Sequence, residues 1–448
     1  MNANSYSHIF FLGIGGIGVS ALARYFHAKG KQVAGYDKTD SPLIRRLAEE
    51  GINVTFDDQW NHLHSDYRDI EKTLVVYTPA VPKNTNLFKY FAENKFEMRK
   101  RAAVLGEIVN SGKGVAVAGT HGKTTTSSMA AHLLHHAGIN ASAFLGGIAN
   151  NFGSNLVIGR AQEVVVEADE YDRSFMSLHP SFTAITSMDP DHMDIYGNAE
   201  EMVATYKDFA KQASESGIVI HKAGLPLEGP SYGVEVEADY SAKNIRVENG
   251  WFVFDLIFPH TTLKDVKAGL PGRHNIENAV AAAALAYLAG ARVKDIASGI
   301  ETFKGVKRRF DFVLREDDHV IIDDYAHHPQ ELKAIISGVR ELYPDKKLTV
   351  LFQPHLFSRT RDFMVEFGEV LSSADQLRLL DIYPAREEAI PGITSSALLK
   401  KCSVEGAKVL SKDEVIDDIR GLNPELLLIL GAGDIDRLVE PLVNTLQS

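Results

Sequence analysis

Short apolar runs, each followed by a glycine-rich or acidic turn and then a longer amphipathic stretch, recur along the chain. Runs of this length between turn signals predict buried strands, and the period-3.6 stretches predict helices. His8 to Leu12 reads as a strand, Gly13 to Gly18 as a turn, and Val19 to Lys29 as a helix closed by Gly30. Gln32 to Tyr36, followed by Asp37, and Leu74 to Tyr77, ended by Thr78-Pro79, read as further strands. A second start lies near residue 111, with a strand over Gly114 to Ala118, a helix over Ser127 to His136, and strands over Val164 to Glu167 and Thr183 to Ser187. Residues 240–257 alternate around Asn249-Gly250, a hairpin signal. Asn275 to Leu288 reads as an alanine-rich helix ending at Gly290. A third start near 313 gives strands over His319 to Asp323, Leu348 to Phe352, Gln376 to Leu380 and Leu426 to Leu430, with helices over Pro329 to Leu342 and Phe363 to Ser372. Strand and helix alternation implies parallel sheets covered by helices. The expected segments are 1–110, 111–312 and 313–448, and the 448 residues suit three domains at roughly 150 residues each.

Composition narrows the class. Hydrophobic residues at 45% and charged residues at 24% describe an ordinary globular protein. The formal charge of −12 disfavours nucleic acid and anionic membrane as partners. The one cysteine, Cys402, allows no intrachain disulfide and fits a reducing compartment. No basic and apolar leader is visible, and no apolar run approaches the roughly 18 residues that span a bilayer. The expectation is a cytoplasmic protein without membrane insertion, monomeric or homodimeric.

Two turns carry phosphate chemistry. Gly13-Ile14-Gly15-Gly16-Ile17-Gly18 follows a strand and opens a helix, so its N–H groups face a diphosphate, and Asp37 ends the next strand. Gly119-Thr120-His121-Gly122-Lys123-Thr124-Thr125-Thr126 is a short variant of a phosphate-binding loop, with Val117 where the common form has glycine. In such loops the lysine reaches the β- and γ-phosphates and the next hydroxyl holds Mg²⁺. Glu167-Ala168-Asp169-Glu170 and Asp191-His192-Met193-Asp194 follow strands beside that loop, where carboxylates hold magnesium. A histidine is an unusual magnesium ligand, so a structural hydrogen-bonding role for His192 is the alternative.

Three further segments stand at element ends. Gly272-Arg273-His274-Asn275-Ile276-Glu277-Asn278 opens the alanine-rich helix and, taken alone, is a helix start as readily as an adenine reader. Lys307-Arg308-Arg309-Phe310-Asp311 is either a phosphate clamp or a solvated charge run. Asp323 to Pro329 and Gln353 to Arg361 bring paired histidines and arginines to strand ends, which suits a small zwitterion and phosphate oxygens.

In this order the motifs GIGGIG (13–18), GTHGKTTT (119–126), EADEYDRSF (167–175), DHMDIYG (191–197), GRHN (272–275), RRFDF (308–312), DDYAHHPQE (323–331) and FQPHLFSRTRD (352–362) resemble the Mur ligase family of ATP-dependent amide-bond ligases. The resemblance covers essentially the whole chain and is greatest to the members that add L-alanine. It implies an α/β fold: a Rossmann-like N-terminal domain binding a UDP-sugar, a central P-loop ATPase domain with an antiparallel patch, and a Rossmann-like C-terminal domain binding an amino acid. The implied substrates are UDP-N-acetylmuramate, L-alanine and ATP, with Mg²⁺. A tripeptide-recycling ligase acting on the same nucleotide sugar is the alternative.

The resemblance also distributes roles. Gly15, Gly16, Gly18 and Asp37 would bind the UDP part. Gly119, Thr120, His121, Gly122, Lys123, Thr124 and Thr125 would hold ATP, with Lys123 on the migrating phosphoryl group. Thr124, Glu167 and His192 would hold magnesium. His274 and Asn278 would flank adenine, and Arg309 and Asp324 would reach the ATP phosphates and ribose. Tyr325, His327, His355 and Arg359 would surround L-alanine and the acyl phosphate. Ligands drawn from three domains imply closure on binding. Two departures stand out: Leu356 where relatives often have Arg, leaving Arg359 and Arg361 to compensate, and Ser187 where many have Asn. Several members carry a carbamylated lysine after the Asp-His motif, and Lys207 lies near that place. The alanine-adding members usually lack it, and a surface lysine over apolar neighbours is the alternative.

Overall fold

The computed structural model describes residues 3–189, 193–248, 251–385 and 387–447. The chain is an α/β protein with three sheets. The first sheet uses β1 (His8–Leu12), β2 (Gln32–Tyr36), β3 (Asn53–Thr55), β4 (Thr73–Tyr77) and β5 (Glu97–Lys100), in the order β3-β2-β1-β4-β5. Every pairing in it is parallel. The apolar runs of β1 and β4 are buried on both faces, as crossover helices require. β5 reads Glu-Met-Arg-Lys, a charged edge strand with no apolar run to betray it.

The second sheet is built from β6 (Lys113–Ala118), β7 (Ser142–Ala149), β8 (Ser154–Val157), β9 (Glu163–Glu167), β10 (Phe182–Ile185), β11 (Ile218–Lys222), β12 (Ser231–Val234), β13 (Tyr240–Glu248), β14 (Trp251–Phe258) and β15 (Thr261–Lys267). Its order is β15-β14-β13-β12-β11-β10-β6-β9-β7-β8. β6 pairs in parallel with both β9 and β10, so the loop after β6 lies between the loops after those two strands. β7 and β8 pair antiparallel. The Asn249-Gly250 turn lies outside the described residues.

The third sheet holds β16 (Asp311–Arg315), β17 (Val320–Asp324), β18 (Leu348–Phe352), β19 (Gln376–Leu380), β20 (Lys408–Leu410) and β21 (Leu426–Leu430), in the order β16-β17-β21-β18-β19-β20. All pairings are parallel except the edge pair β16–β17.

The residues form two compact units. One comprises Met1–Lys243, Leu256–Lys264 and Asn278–Phe303; the other comprises Asn244–Asp255, Asp265–Glu277 and Lys304–Ser448. In the first unit the helix Ile17–Ala28 covers β1 with one side, and its Tyr25 ring lies 5.3 Å from that of Phe144 on β7. In the same unit the helix Ala199–Ser216 buries Met202, Tyr206 and Phe209, and Phe209 stacks on Phe175 at 4.5 Å. In the second unit the helix Pro329–Leu342 is fixed by Pro329 at its first turn and by a capping box between His328 and Glu331. Among the described residues, no helix is long and apolar enough to cross a membrane.

Candidate active site

The glycine turn after β1 is closed by its own carboxylate. Gly15 N–H donates to Asp37 Oδ2 at 2.8 Å, and Thr39 N–H donates to Oδ1 at 3.2 Å. A Cβ on Gly15 would lie 2.8 Å from that oxygen, so only glycine lets Asp37 approach. The helix starts at Ile17, with Gly16 as its cap and no side chain on its first amides. Those amides are left for an anion.

The second turn joins β6 to the helix Lys123–His136, which starts four residues before the Ser127 that the apolar pattern indicated. Thr125, Thr126 and Ser127 are buried there, so their polar character hid a helix start. Gly119 (φ +131°) and Gly122 (φ +80°) turn the backbone in ways side chains rarely allow. Two residues from β10's end brace the loop. Ser187 Oγ accepts from His121 N–H at 2.8 Å, and Thr186 Oγ donates to Ala118 O at 3.0 Å. Thr120 Oγ donates to Asp189 O at 2.7 Å. Asn278 Oδ1 accepts from the Thr126 hydroxyl at 3.2 Å and lies 2.6 Å from where a Cβ on Gly122 would be.

Lys123 Nζ lies 2.6 Å from Gly119 O, 3.2 Å from Thr120 O and 2.8–2.9 Å from the two carboxylate oxygens of Glu170. Burial pushes the Glu170 carboxyl up, against the pull of Lys123. Thr124 Oγ donates to Glu167 Oε2 at 2.8 Å, and Gly146 N–H donates to the same oxygen at 3.0 Å.

One cavity of about 720 Å³ within the first unit runs from the glycine turn to Glu167, the carboxylate that Thr124 meets. Its lining includes Gly16, Gly18 and Asp37 at one side and Gly146, Glu167 and Asp169 at the other. Arg101 stands between them: its guanidinium would meet a Cβ on Gly18 at 2.7 Å and reaches Asp169 at 3.3 Å. Arg101, Thr186 and Tyr383 were not singled out from sequence, because no motif of the Gly-Lys-Thr kind surrounds them, and Glu170 was grouped with the magnesium-holding carboxylates, whereas it meets Lys123.

In the second unit, Tyr325, His327, His355 and Arg359 are brought together. The His327 ring is 5.3 Å from Tyr325 and 5.8 Å from His355, and Arg359 Nη1 is 3.4 Å from His355 Nδ1. Tyr383 stacks on His355 at 5.7 Å and 15°. Its carbonyl accepts from Leu356 N–H at 2.9 Å. Burial holds His355 down to about 4 and lowers His327, so both imidazoles are neutral near pH 7. His327 Nδ1 lies 2.9 Å from Tyr325 O, which accepts a hydrogen bond from it and fixes the tautomer that leaves Nε2 a free lone pair. Arg309 lies over the Tyr325 ring at 5.0 Å. His274 sits 6.3 Å from the Phe310 ring, with its imidazole held down to about 4 by burial.

Several expected residues have other observed contacts. Asp324 is buried, and its two oxygens accept from Phe310 N–H and Ala326 N–H, each at 2.7 Å, so it pins the segment that enters β16 and the turn that follows β17. Arg361 is exposed and pairs with Asp362 at 2.7 Å, so Arg359 is the arginine beside His355. Leu356 takes φ +70° as the cap of the helix Phe357–Asp362. Lys207 is exposed, while the face of its helix that carries Tyr206 is buried. His192 and Asp191 lie outside the described residues.

A fold of this kind, with a phosphate loop whose threonine meets a strand-end carboxylate, defines a nucleotide-dependent transferase or ligase. Family comparison makes the class specific. The Mur ligase family, catalytic domain, matches residues 8–113, the Mur ligase middle domain matches 117–286, and the Mur ligase, glutamate ligase domain, matches 308–434. The chain belongs to the Mur ligase family. It is similar to the UDP-N-acetylmuramate–L-alanine ligase of Flavobacterium psychrophilum, 48% identical over 98% of each chain. The protein of the same name from Christiangramia forsetii is 47% identical over 99% of this chain and 98% of its own. The solved UDP-N-acetylmuramate–alanine ligase of Thermotoga maritima superposes with a TM-score of 0.82 at 26% identity, covering 98% of this chain and 99% of its own.

Proposed function

We propose that this chain is an ATP-dependent ligase that joins L-alanine to the lactyl carboxylate of UDP-N-acetylmuramate, releasing ADP and phosphate, in peptidoglycan precursor synthesis. A carboxylate is a poor electrophile. Transfer of the γ-phosphoryl group of ATP to one of its oxygens makes an acyl phosphate. The free amine of L-alanine then attacks the carbonyl carbon and loses one proton, and the tetrahedral intermediate expels phosphate with that oxygen. The site mostly positions groups and stabilises charge.

The observation that carries the reading is the cavity shared by the glycine turn with Asp37 and by Glu167, the partner of Thr124 in the phosphate loop. A nucleotide sugar bound at the first end can present its far end at the second. In this reading Gly15, Gly16, Gly18 and Asp37 receive the UDP part, and residues 119–125, with Asn278, hold ATP. Lys123 meets the migrating phosphoryl group. The Thr124 hydroxyl and the Glu167 carboxylate form an all-oxygen pair of the kind Mg²⁺ prefers. The ion would neutralise phosphate charge when bound. His192 is proposed as a further ligand. His274, Arg309 and Asp324 are assigned to the nucleotide, Asp324 acting by holding the turn that carries Phe310. Tyr325, His327, His355 and Arg359 receive the amino acid, with His327 Nε2 taking the amine's proton and Arg359 offering charge to its carboxylate. The cytoplasm, where ATP is abundant, is the proposed location.

Phosphate release from ATP and Mg²⁺ tests this. It is expected to require both UDP-N-acetylmuramate and L-alanine. Release that needs an L-Ala-γ-D-Glu-diaminopimelate tripeptide instead would overturn the alanine assignment.

A further inference from the structure

We propose that Glu170 is a built-in competitor for nucleotide phosphate, holding Lys123 in the empty loop and giving it up when phosphate arrives. The inference rests on the nucleotide reading of the loop.

An ammonium has three N–H groups. Lys123 Nζ already has four oxygen neighbours within 3.2 Å: two loop carbonyls and both Glu170 carboxylate oxygens. An arriving phosphate must therefore replace at least one of them. The pair is buried, with side-chain exposures of 12% for Lys123 and 2% for Glu170. A buried ammonium without a counter-charge is costly, so Glu170 fills the position that a phosphate anion would take.

The backbone around Glu170 keeps its carboxylate there. Its carbonyl accepts from the Tyr196 hydroxyl at 2.6 Å and from Arg173 N–H at 2.9 Å. The following Asp172 and Arg173 both take left-handed conformations, φ +54° and +53°. Two successive left-handed residues persist only where neighbours impose them. Here Lys100 holds Asp172 at 2.7 Å, and Phe175 is locked against Phe209 and Tyr206. Glu170 cannot retreat, so it competes with every phosphate that enters. Its effect on the reaction is to weaken the grip on nucleotide in both substrate and product while keeping Lys123 aimed.

Two variants separate this from plain charge removal. Glu170→Gln removes the charge. Glu170→Asp keeps the charge but shortens the reach to Lys123. The readout is the Kd of metal-free ADP by calorimetry on the full chain, beside kcat and KM for ATP. Both variants are expected to bind ADP about tenfold more tightly, equivalent to about 1.4 kcal/mol, and to lower kcat and KM for ATP together. Tightening by Glu170→Gln alone would show simple electrostatic repulsion and overturn the proposal. ADP affinity equal to or below that of the native chain in both would also overturn it. Should either variant fail to fold, Tyr196→Phe removes one of the two hydrogen bonds that hold the Glu170 carbonyl without touching its charge. It is expected to shift ADP affinity in the same direction, and an unchanged or weaker Kd would overturn the idea. A native chain that binds ADP yet forms no amide would refute the ligase reading and leave this test intact.

Discussion

Replacing Gly122 by alanine probes how the phosphate loop is built. Gly122 sits at φ +80° and ψ −7°, immediately before the helix Lys123–His136. A left-handed alanine costs about 1–2 kcal/mol. The new methyl would also lie 2.6 Å from Asn278 Oδ1. Asn278 must then move and release the 3.2 Å hydrogen bond from Thr126, worth about 0.5–1.5 kcal/mol. The expected loss is about 2–3 kcal/mol, a fall of roughly 3–5 °C in the transition of a unit of this size. Asn278→Ala alone loses the hydrogen-bond share without the left-handed cost. In the Asn278→Ala background the space is open, so Gly122→Ala is left with its backbone cost, a coupling of about 1 kcal/mol. Scanning calorimetry of the four chains, following the transition that ADP shifts upward, measures this. A Gly122→Ala cost that is the same in both backgrounds, or below about 1 kcal/mol, would refute the reasoning.

Other expectations concern the second unit. His327→Asn keeps a donor at the Nδ1 position, on Tyr325 O, but removes the basic nitrogen; kcat should fall about 10²–10⁴-fold with KM for ATP unchanged. An unchanged kcat in steady-state assays would remove His327 as the base. Burial raises Asp323 from 3.8 to about 7, against the pull of Arg308. The folded state then binds more protons than the unfolded state between about pH 4 and 7, so this group's stabilisation fades as pH rises through that window. His274, held down to about 4, acts oppositely, gaining stability as pH rises toward 6.5. Asp323→Asn should therefore give a melting temperature that rises more, or falls less, with pH over this range than the native chain's. Parallel curves by thermal shift would contradict this assignment.

Much of the fold was legible because buried strands of parallel sheets are uninterrupted apolar runs. β1, β2, β18, β19 and β21 fall on the residues expected. The α/β class, the family and the ligase reading drawn from the motif order agree with the comparisons. Edge elements were not legible. β5 is Glu-Met-Arg-Lys, and β3 is three residues long, so neither has a periodicity to read. The helix start at Lys123 was hidden because buried threonines and serines satisfy their hydroxyls locally, as Ser127 Oγ does on Thr124 O at 3.2 Å. In the site, Lys123, Thr124 and Glu167 stood out through their motifs. Glu170 was visible as one of a carboxylate cluster and Ser187 as a departure from its relatives, but their contacts, with Lys123 and with His121 N–H, depend on the left-handed turn after Glu170 and on where β10 ends. Arg361 read as a compensating charge, but it is next to Asp362 and pairs there. For Lys207 the resemblance left a carbamylated site lysine and a surface lysine both open; it is exposed on its helix.

The central claim is an acyl phosphate formed on the lactyl carboxylate. It is tested most directly by supplying UDP-N-acetylmuramate labelled with ¹⁸O in that carboxylate, together with ATP, Mg²⁺ and L-alanine, and weighing the products. The account predicts one ¹⁸O in each released phosphate, one retained in the amide carbonyl, and ADP as the nucleotide product. Unlabelled phosphate, or label appearing in AMP, would contradict it.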